Sequence, residues 1–301
     1  MKKMSNITMK LYNIMCAALI NFSAFHVVAS MNNSDNATKS VVDSIKSSYN
    51  ELLEKKTNSR SLNPADIQIY ILKSRASGEK ADIVKKFGND FSGLDLTNLY
   101  LANASLREMD LSNVDFSHSD LDWVDITKSK LDGATLKASD LEYCIGNNTS
   151  FIGANLELSN FAHSSLVGAN FKGANLKGAN LVKANLVGAN FEGANLENAN
   201  LADAILTNAN FKEAKLSYAN FSNSRTFNAS FQNANLENAT FYKSRLIDCN
   251  FEGAVLTRSL FKNSDFRGAS FKGANISEAI FQKNTIDHTQ IDAAQNKLIN
   301  Q

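Results

Sequence analysis

Proline is almost absent from this sequence: Pro64 is the single proline in 301 residues. A proline has no backbone N–H to donate, so its rarity favours a chain whose backbone is hydrogen-bonded nearly throughout. An excess of charge of one sign is also missing, with 31 basic and 30 acidic side chains. Because nucleic-acid affinity comes mainly from basic residues that displace counterions, this balance argues against a general nucleic-acid binder.

The N-terminus has the layout of a secretory signal peptide. Three lysines precede a mostly apolar stretch from Leu11 to Val28, and small residues follow at Ala29 and Ser30. We therefore expect residues 1–30 to be a removable leader and the protein to be periplasmic or secreted. An uncleaved membrane anchor and a cytoplasmic N-terminal helix are the alternatives, and no stable membrane span is expected after the leader is removed.

From Phe91 onward the sequence repeats every five residues without a slip in register. Of the 41 positions from 91 to 291 whose numbers end in 1 or 6, 39 are Leu, Phe or Ile. Two positions before each of them, a small side chain (Ala, Ser, Thr or Cys) is found in 34 of the 41 units. A period of five fits neither a helix nor an alternating strand, so it predicts a solenoid in which each unit buries its apolar residue against the next.

The repeat units match a known signature. Residues 169–178 read Ala-Asn-Phe-Lys-Gly and then Ala-Asn-Leu-Lys-Gly, in the pattern A(D/N)LXX. The sequence resembles the pentapeptide repeat family over about residues 89–291. The resemblance implies a right-handed quadrilateral β-helix.

A second period of 20 supports this four-sided fold. Phenylalanine occupies every twentieth position from Phe151 to Phe271, and leucine every twentieth position from Leu136 to Leu256. Such segregation predicts four distinct faces and about ten 20-residue coils in an all-β solenoid. We expect an α-helical N-terminal extension or cap over residues 31–88, including a helix that begins at Pro64, and a short C-terminal helical cap over 292–301. The C-terminal cap could also mediate a homodimer, as terminal helices do in some family members.

Catalytic chemistry is not indicated. Each coil is filled by four large and four small side chains, which leaves no obvious cavity for a substrate. No His, Cys or carboxylate group has metal-ligand spacing, and no cofactor motif is present. Cys144 and Cys249 occupy inward positions about five coils apart, too far for a disulfide, so we expect small buried side chains. Function should therefore lie on the outer faces or at the ends, and we expect a protein that is not an enzyme.

One outward column combines aromatic and acidic side chains. Trp123, Tyr143 and His163 follow the period of 20, so they should stack on adjacent coils. The acidic residues beside them are Asp120, Asp122, Asp140 and Glu142. Aromatic anchors framed by charge are common at interfaces, whereas stacked aromatics can also simply stabilise a sheet. The neighbourhood is acidic, with a net charge of −6 over residues 91–142 against +2 over 143–291, which would suit a basic partner.

A second candidate patch lies on the face where the repeat is least regular. Gly146 and Thr226 replace core residues there, and Arg225 and Arg245 should stack near Phe227. Local bulges and a second contact surface are the two interpretations. We expect the regular path to bend at Gly146, if anywhere, because glycine removes a core side chain and relaxes the backbone.

Three functions fit these observations. The first is an exported scaffold that presents its outer faces to an unknown protein partner. The second is a pathogen protein delivered into host cells. The third follows the quinolone-resistance branch of the family, whose acidic dimeric rods imitate DNA and bind type II topoisomerases; the export leader and the basic C-terminal coils argue against it.

Overall fold

A computed structural model describes residues 63–76 and 81–285. Apart from Asn63, these residues belong to the second of two compact units, Pro64–Gln301. The predicted signal peptide, most of the predicted extension before residue 63 and the predicted cap at 292–301 lie outside the described residues. Within the described residues, no helix is long and apolar enough to cross a membrane.

The described chain winds as a four-sided β-helix in which four five-residue units make one coil. Parallel bridges join one residue of each five-residue unit to the residue 20 places later, from Asp90 with Asp110 to Asp265 with Thr285. On one face the bridges lengthen into three short strands, β1 (Thr240–Tyr242), β2 (Leu260–Lys262) and β3 (Ile280–Gln282), which pair in parallel and in that order. The predicted period of 20 is confirmed, although most sides of the coil contribute a single bridge and not a strand.

A tight turn after each bridge explains the five-residue unit. In the unit that begins at Leu101, the N–H of Ala104 donates to the carbonyl of Leu101 at 2.9 Å. The third residue, Asn103, has a φ of 59°, the left-handed conformation that the third position of a type II turn requires. Glycine and asparagine tolerate this conformation best, which accounts for their abundance at this position of the repeat.

The interior is filled by stacked side chains. The rings of the column from Phe151 to Phe271 lie 4.8–4.9 Å apart and within 6° of parallel. A second column, Phe221 to Phe281, meets the first edge to face; Phe221 and Phe211, for example, are 86° apart. Because every ring in the middle of these columns is fully buried, each contributes about 1.5–3 kcal/mol of hydrophobic stabilisation.

The small inward position also holds buried serines and cysteines. The hydroxyl of Ser139 donates to the carbonyl of Phe116 in the preceding coil at 2.9 Å, and Ser119 donates to Leu96 in the same way. Cys144 and Cys249 are buried free thiols, and burial raises the pKa of both, that of Cys249 to about 12. These thiols therefore act as small buried side chains.

The expected bend at Gly146 is wrong, because the ladder runs through it without a break. Its N–H donates to the carbonyl of Ser165 at 2.7 Å, and Ile126 and Leu166 from the adjacent coils fill the space that a core side chain would occupy. The ladder also continues through Thr226: its N–H donates to the carbonyl of Arg245 at 2.7 Å, and its hydroxyl pairs with that of Ser224 at 2.9 Å. Neither residue marks a bulge.

Two helices precede the first coils. Helix α1 (Pro64–Ala76) buries Ile67 and Ile71, and helix α2 (Ile83–Phe87) starts where the Asp82 carboxylate accepts the N–H of Lys85 at 2.9 Å. Both helices lie within the extension predicted for residues 31–88. The rest of that extension remains a prediction.

Gln68 on helix α1 takes the place of a missing coil. Its buried side-chain amide donates to the carbonyl of Tyr100 at 3.1 Å and accepts the N–H of Tyr100 at 2.8 Å. These are the two bonds that a backbone rung would form with the edge of the β-helix, so the amide covers an end that would otherwise expose unpaired groups.

Replacing Gln68 by Ala should loosen the first coil. The loss of two buried hydrogen bonds should cost about 1–3 kcal/mol, and amide exchange at Tyr100 should accelerate by at least about tenfold. Hydrogen exchange measured by NMR checks this. Gln68→Glu keeps an acceptor but places a buried carboxylate oxygen against the Tyr100 carbonyl, so its effect should be at least as large. Unchanged exchange in both variants would refute the capping role.

Candidate functional site

Three side chains form a stacked column on the surface, as the 20-residue period predicts. The rings of Trp123 and Tyr143 lie 4.4 Å apart and 8° from parallel, and those of Tyr143 and His163 lie 4.8 Å apart at 17°. Trp123 is 55% exposed. The column therefore presents ring edges to solvent, and Asn103 occupies the next position of the column on the other side of Trp123.

The turns hold these three residues in an unfavourable backbone conformation. Trp123, Tyr143 and His163 are third turn residues with φ values of 58°, 58° and 60°. The left-handed conformation costs a residue with a β-carbon about 1–2 kcal/mol. Aromatic stacking returns about 0.5–1.5 kcal/mol per pair and offsets part of this cost.

Four carboxylates border the column. Asp120 and Asp140 are in-register partners on adjacent coils, so two acidic side chains stack directly. The Asp122 carboxylate accepts the N–H of Glu142 at 3.0 Å, and the Asp140 carboxylate accepts the side-chain amide of Asn160 at 2.8 Å. We call these four residues together with Trp123, Tyr143 and His163 the acidic–aromatic patch.

Crowding changes the titration of Asp122. Partial burial, followed by the negative charge of Asp140 and a hydrogen bond with it, raises the pKa of Asp122 to about 7, and the charge of Asp120 adds to the effect. Near neutral pH, Asp122 is therefore protonated for part of the time. A cation bound beside them would favour the ionised form and release that proton.

The ladder also brings Asp122, Asp140 and Glu142 into one group. Each offers a carboxylate oxygen, and the three oxygens lie within 4.8 Å of one another. Sequence spacing did not predict this group, because Asp122 and Asp140 occupy different positions of the repeat and meet diagonally across two coils. A hard cation could bind such oxygens. We assign no metal, because surface carboxylates commonly group without one.

The replacement Asp122→Asn should stabilise the protein at alkaline pH. The folded pKa lies above the unfolded value of about 4, so the wild-type protein loses stability as pH rises from about 4 to about 7. Asparagine cannot ionise, yet its oxygen can still accept the N–H of Glu142, as Asn147 accepts that of Val167. The variant should melt a few degrees higher above pH 8 and no higher below pH 4. A Tm difference independent of pH would contradict the raised pKa.

The second predicted patch is also brought together. Arg225 and Arg245 are in-register partners on adjacent coils, and both are exposed. The guanidinium carbon of Arg245 lies 5.1 Å from the centre of the Phe227 ring, within range of a cation–π contact. We call Arg225, Phe227 and Arg245 the arginine patch.

The parallel 20-residue ladder and the filled interior define a class of protein, the four-sided β-solenoid, whose candidate binding residues lie on its outer faces. Family models assign the chain more narrowly. The pentapeptide repeat region model matches residues 144–221, and the model of eight pentapeptide repeats matches residues 90–127, 227–258 and 244–282. The chain belongs to the pentapeptide repeat family, whose members form right-handed quadrilateral β-helices.

Solved structures of several family members are similar. HetL, a pentapeptide repeat protein involved in heterocyst differentiation regulation in Nostoc sp. strain PCC 7120, is 25% identical, with 73% of this chain and 97% of HetL covered and a TM-score of 0.33. QnrB1, a plasmid-mediated fluoroquinolone resistance protein, is 19% identical over 70% of this chain and 94% of its own, with a TM-score of 0.44. Rfr23 from Cyanothece 51142 is 28% identical over 41% and 88%, with a TM-score of 0.30. No curated protein matches the sequence significantly.

Proposed function

We propose that the chain is a non-catalytic interaction rod that binds an arginine- or lysine-rich segment of a protein partner at the acidic–aromatic patch. The observation that carries this proposal is the stacking of carboxylates on carboxylates beside an exposed aromatic column. Like charges that face each other in a ladder are destabilising, so the arrangement is costly until a cation neutralises it.

The aromatic column supplies the second element of recognition. A guanidinium or ammonium group bound against the exposed Trp123 ring would gain about 0.5–2 kcal/mol from the cation–π interaction. The carboxylates on the same coils would pair with the neighbouring cations of the segment. An aromatic anchor beside charged groups is typical of residues that dominate binding energy.

A labelled arginine-rich peptide tests this proposal by fluorescence anisotropy. The double variant Trp123→Ser/Tyr143→Ser should weaken binding by at least about tenfold, equivalent to about 1.4 kcal/mol. Tyr218→Ser is a matched control, since Tyr218 is 62% exposed and has a φ of 62° at an equivalent turn position outside the patch. Equal affinity of all three proteins for the peptide would overturn the proposal.

We extend the proposal to location: the rod acts outside the cytoplasm. The support is the leader-like sequence of residues 1–30. Mass spectrometry of the mature protein from cell fractions should find a shortened N-terminus outside the cytoplasm. A full-length cytoplasmic protein would overturn this and favour the topoisomerase-binding alternative. Delivery into a host cell is a further step that the same fractionation of infected cells would detect.

A further inference from the structure

Charged side chains on the rod usually neutralise one another from coil to coil. Seven of the eleven ion pairs among the described residues join side chains one coil apart in the same column, as Lys172 pairs with Glu192 at 3.2 Å and Lys177 with Glu197 at 3.6 Å. The in-register ladder places such residues directly opposite each other, where unlike charges attract and like charges repel.

Like charges face each other in two regions of the rod, one acidic and one basic. Acidic residues stack in the first coils, including Asp120 on Asp140 in the acidic–aromatic patch. Between residues 90 and 285, basic residues occupy neighbouring positions of one column once, at Arg225 and Arg245. Arg225 has no ion pair among the described residues. Arg245 lies against Phe227, and its next neighbour in the column is Asp265, which forms an ion pair with Arg267 at 2.7 Å.

We propose that the rod associates with further copies of itself, with the arginine patch of one copy bound to the acidic–aromatic patch of the next. This inference rests on the proposed function and names its partner, a second copy of this chain. The charges are complementary: two stacked guanidinium groups meet two stacked rows of carboxylates.

The spacing of the two patches also matches. The two arginines span two adjacent coils, as do the four carboxylates of the acidic–aromatic patch, and adjacent coils are about 4.8 Å apart along the axis. When two rods lie side by side and parallel, Arg225 and Arg245 can therefore face successive acidic rows in register. Guanidinium–carboxylate pairs are the strongest charge-assisted hydrogen bonds available to side chains. The association would neutralise the repulsion within both patches at once.

The positions of the patches determine the kind of assembly. Arg225 follows Asp120 by 105 residues, which is five 20-residue coils and one additional five-residue unit. The two patches therefore lie about 24 Å apart along the axis and on neighbouring faces. A contact between two different surfaces does not form a closed two-fold dimer. After two copies have bound, each still has one free patch, so further copies can add and the assembly grows as an open, staggered chain.

Sedimentation velocity of the full chain tests self-association. The wild-type mass should rise with concentration and fall in high salt. Two variants should each stay monomeric, Arg225→Asp/Arg245→Asp and Asp122→Asn/Asp140→Asn/Glu142→Gln. Their equimolar mixture should form a one-to-one dimer and stop there, because it contains one intact donor patch and one intact acceptor patch. The charge reversal Lys215→Asp, at an exposed residue outside both patches, should leave the wild-type behaviour unchanged.

Other outcomes would overturn the inference. A wild-type protein that stays monomeric at its highest soluble concentration would do so, as would a dimer that neither variant affects, which would favour a contact through the C-terminal cap. The arginine-rich peptide separates this failure from that of the proposed function. If the wild-type protein binds the peptide but does not self-associate, the interaction patch stands and its partner is a different protein.

Discussion

Replacing Phe211 by Asp should destabilise the rod by more than about 4 kcal/mol, at the upper end of single-residue effects. The Phe211 ring is fully buried, and it stacks on Phe191 at 4.8 Å and on Phe231 at 4.9 Å. Removing the ring opens a cavity, which alone costs about 3–5 kcal/mol for Phe→Ala. The carboxylate adds a buried charge for which the surrounding rings offer no partner.

Urea and thermal unfolding followed by circular dichroism measure this effect. Because each coil contacts only its neighbours, the variant should unfold in two steps, with the coils around residue 211 melting first. Phe211→Leu is the matched control: leucine occupies core positions throughout the repeat, and its cost should stay near about 1 kcal/mol. A Phe211→Asp protein that melts as the wild type does would disprove the stacked interior.

A proline introduced at Asn190 should cost about 3 kcal/mol or more, whereas a proline at Val187 in the preceding turn should be tolerated. The N–H of Asn190 donates to the carbonyl of Ala169 at 2.9 Å in the ladder between coils, and proline would delete this bond. The N–H of Val187 makes only a 3.4 Å contact with the Asn185 side chain. Val187 is the second residue of a turn, where the fixed φ of proline is favoured.

The pair Asn190→Pro and Val187→Pro should therefore differ by several degrees in Tm, measured by calorimetry. Rod proteins of this length should lose about 2–4 °C for each kcal/mol. Equal destabilisation by both prolines would contradict the turn assignment.

The core could be predicted from the sequence because nearly every inward position is large and apolar and two columns hold long runs of a single residue type. A 20-residue period in Phe and Leu is visible without coordinates, and it identified the buried positions. The behaviour of Gly146 was not visible: the sequence shows the missing side chain, but not that Ile126 and Leu166 extend into the space. Side chains from the two adjacent coils fill the space at Gly146, and the sequence of a single coil does not show this.

The surface was predictable where residues share a column and not where they meet diagonally. Trp123, Tyr143 and His163 follow the period, so their stacking was expected. The approach of Asp122 to Asp140, which raises the pKa of Asp122, joins different columns and depends on side-chain direction. The repeat also could not predict the role of Gln68, because Gln68 lies on a helix outside the repeat and its partner Tyr100 is 32 residues away.

The five-residue turn unit has a consequence for how such a chain can change length. Deleting one unit would keep large side chains pointing inward, but it would place Leu against Phe where the columns meet. It would also rotate everything downstream by a quarter turn and move the arginine patch to a different side of the rod. Deleting four units, a whole coil, would bring the patches closer by one coil and keep their relative direction. The matched columns of the interior and the patches on the outer surface therefore both favour insertions and deletions of a whole 20-residue coil.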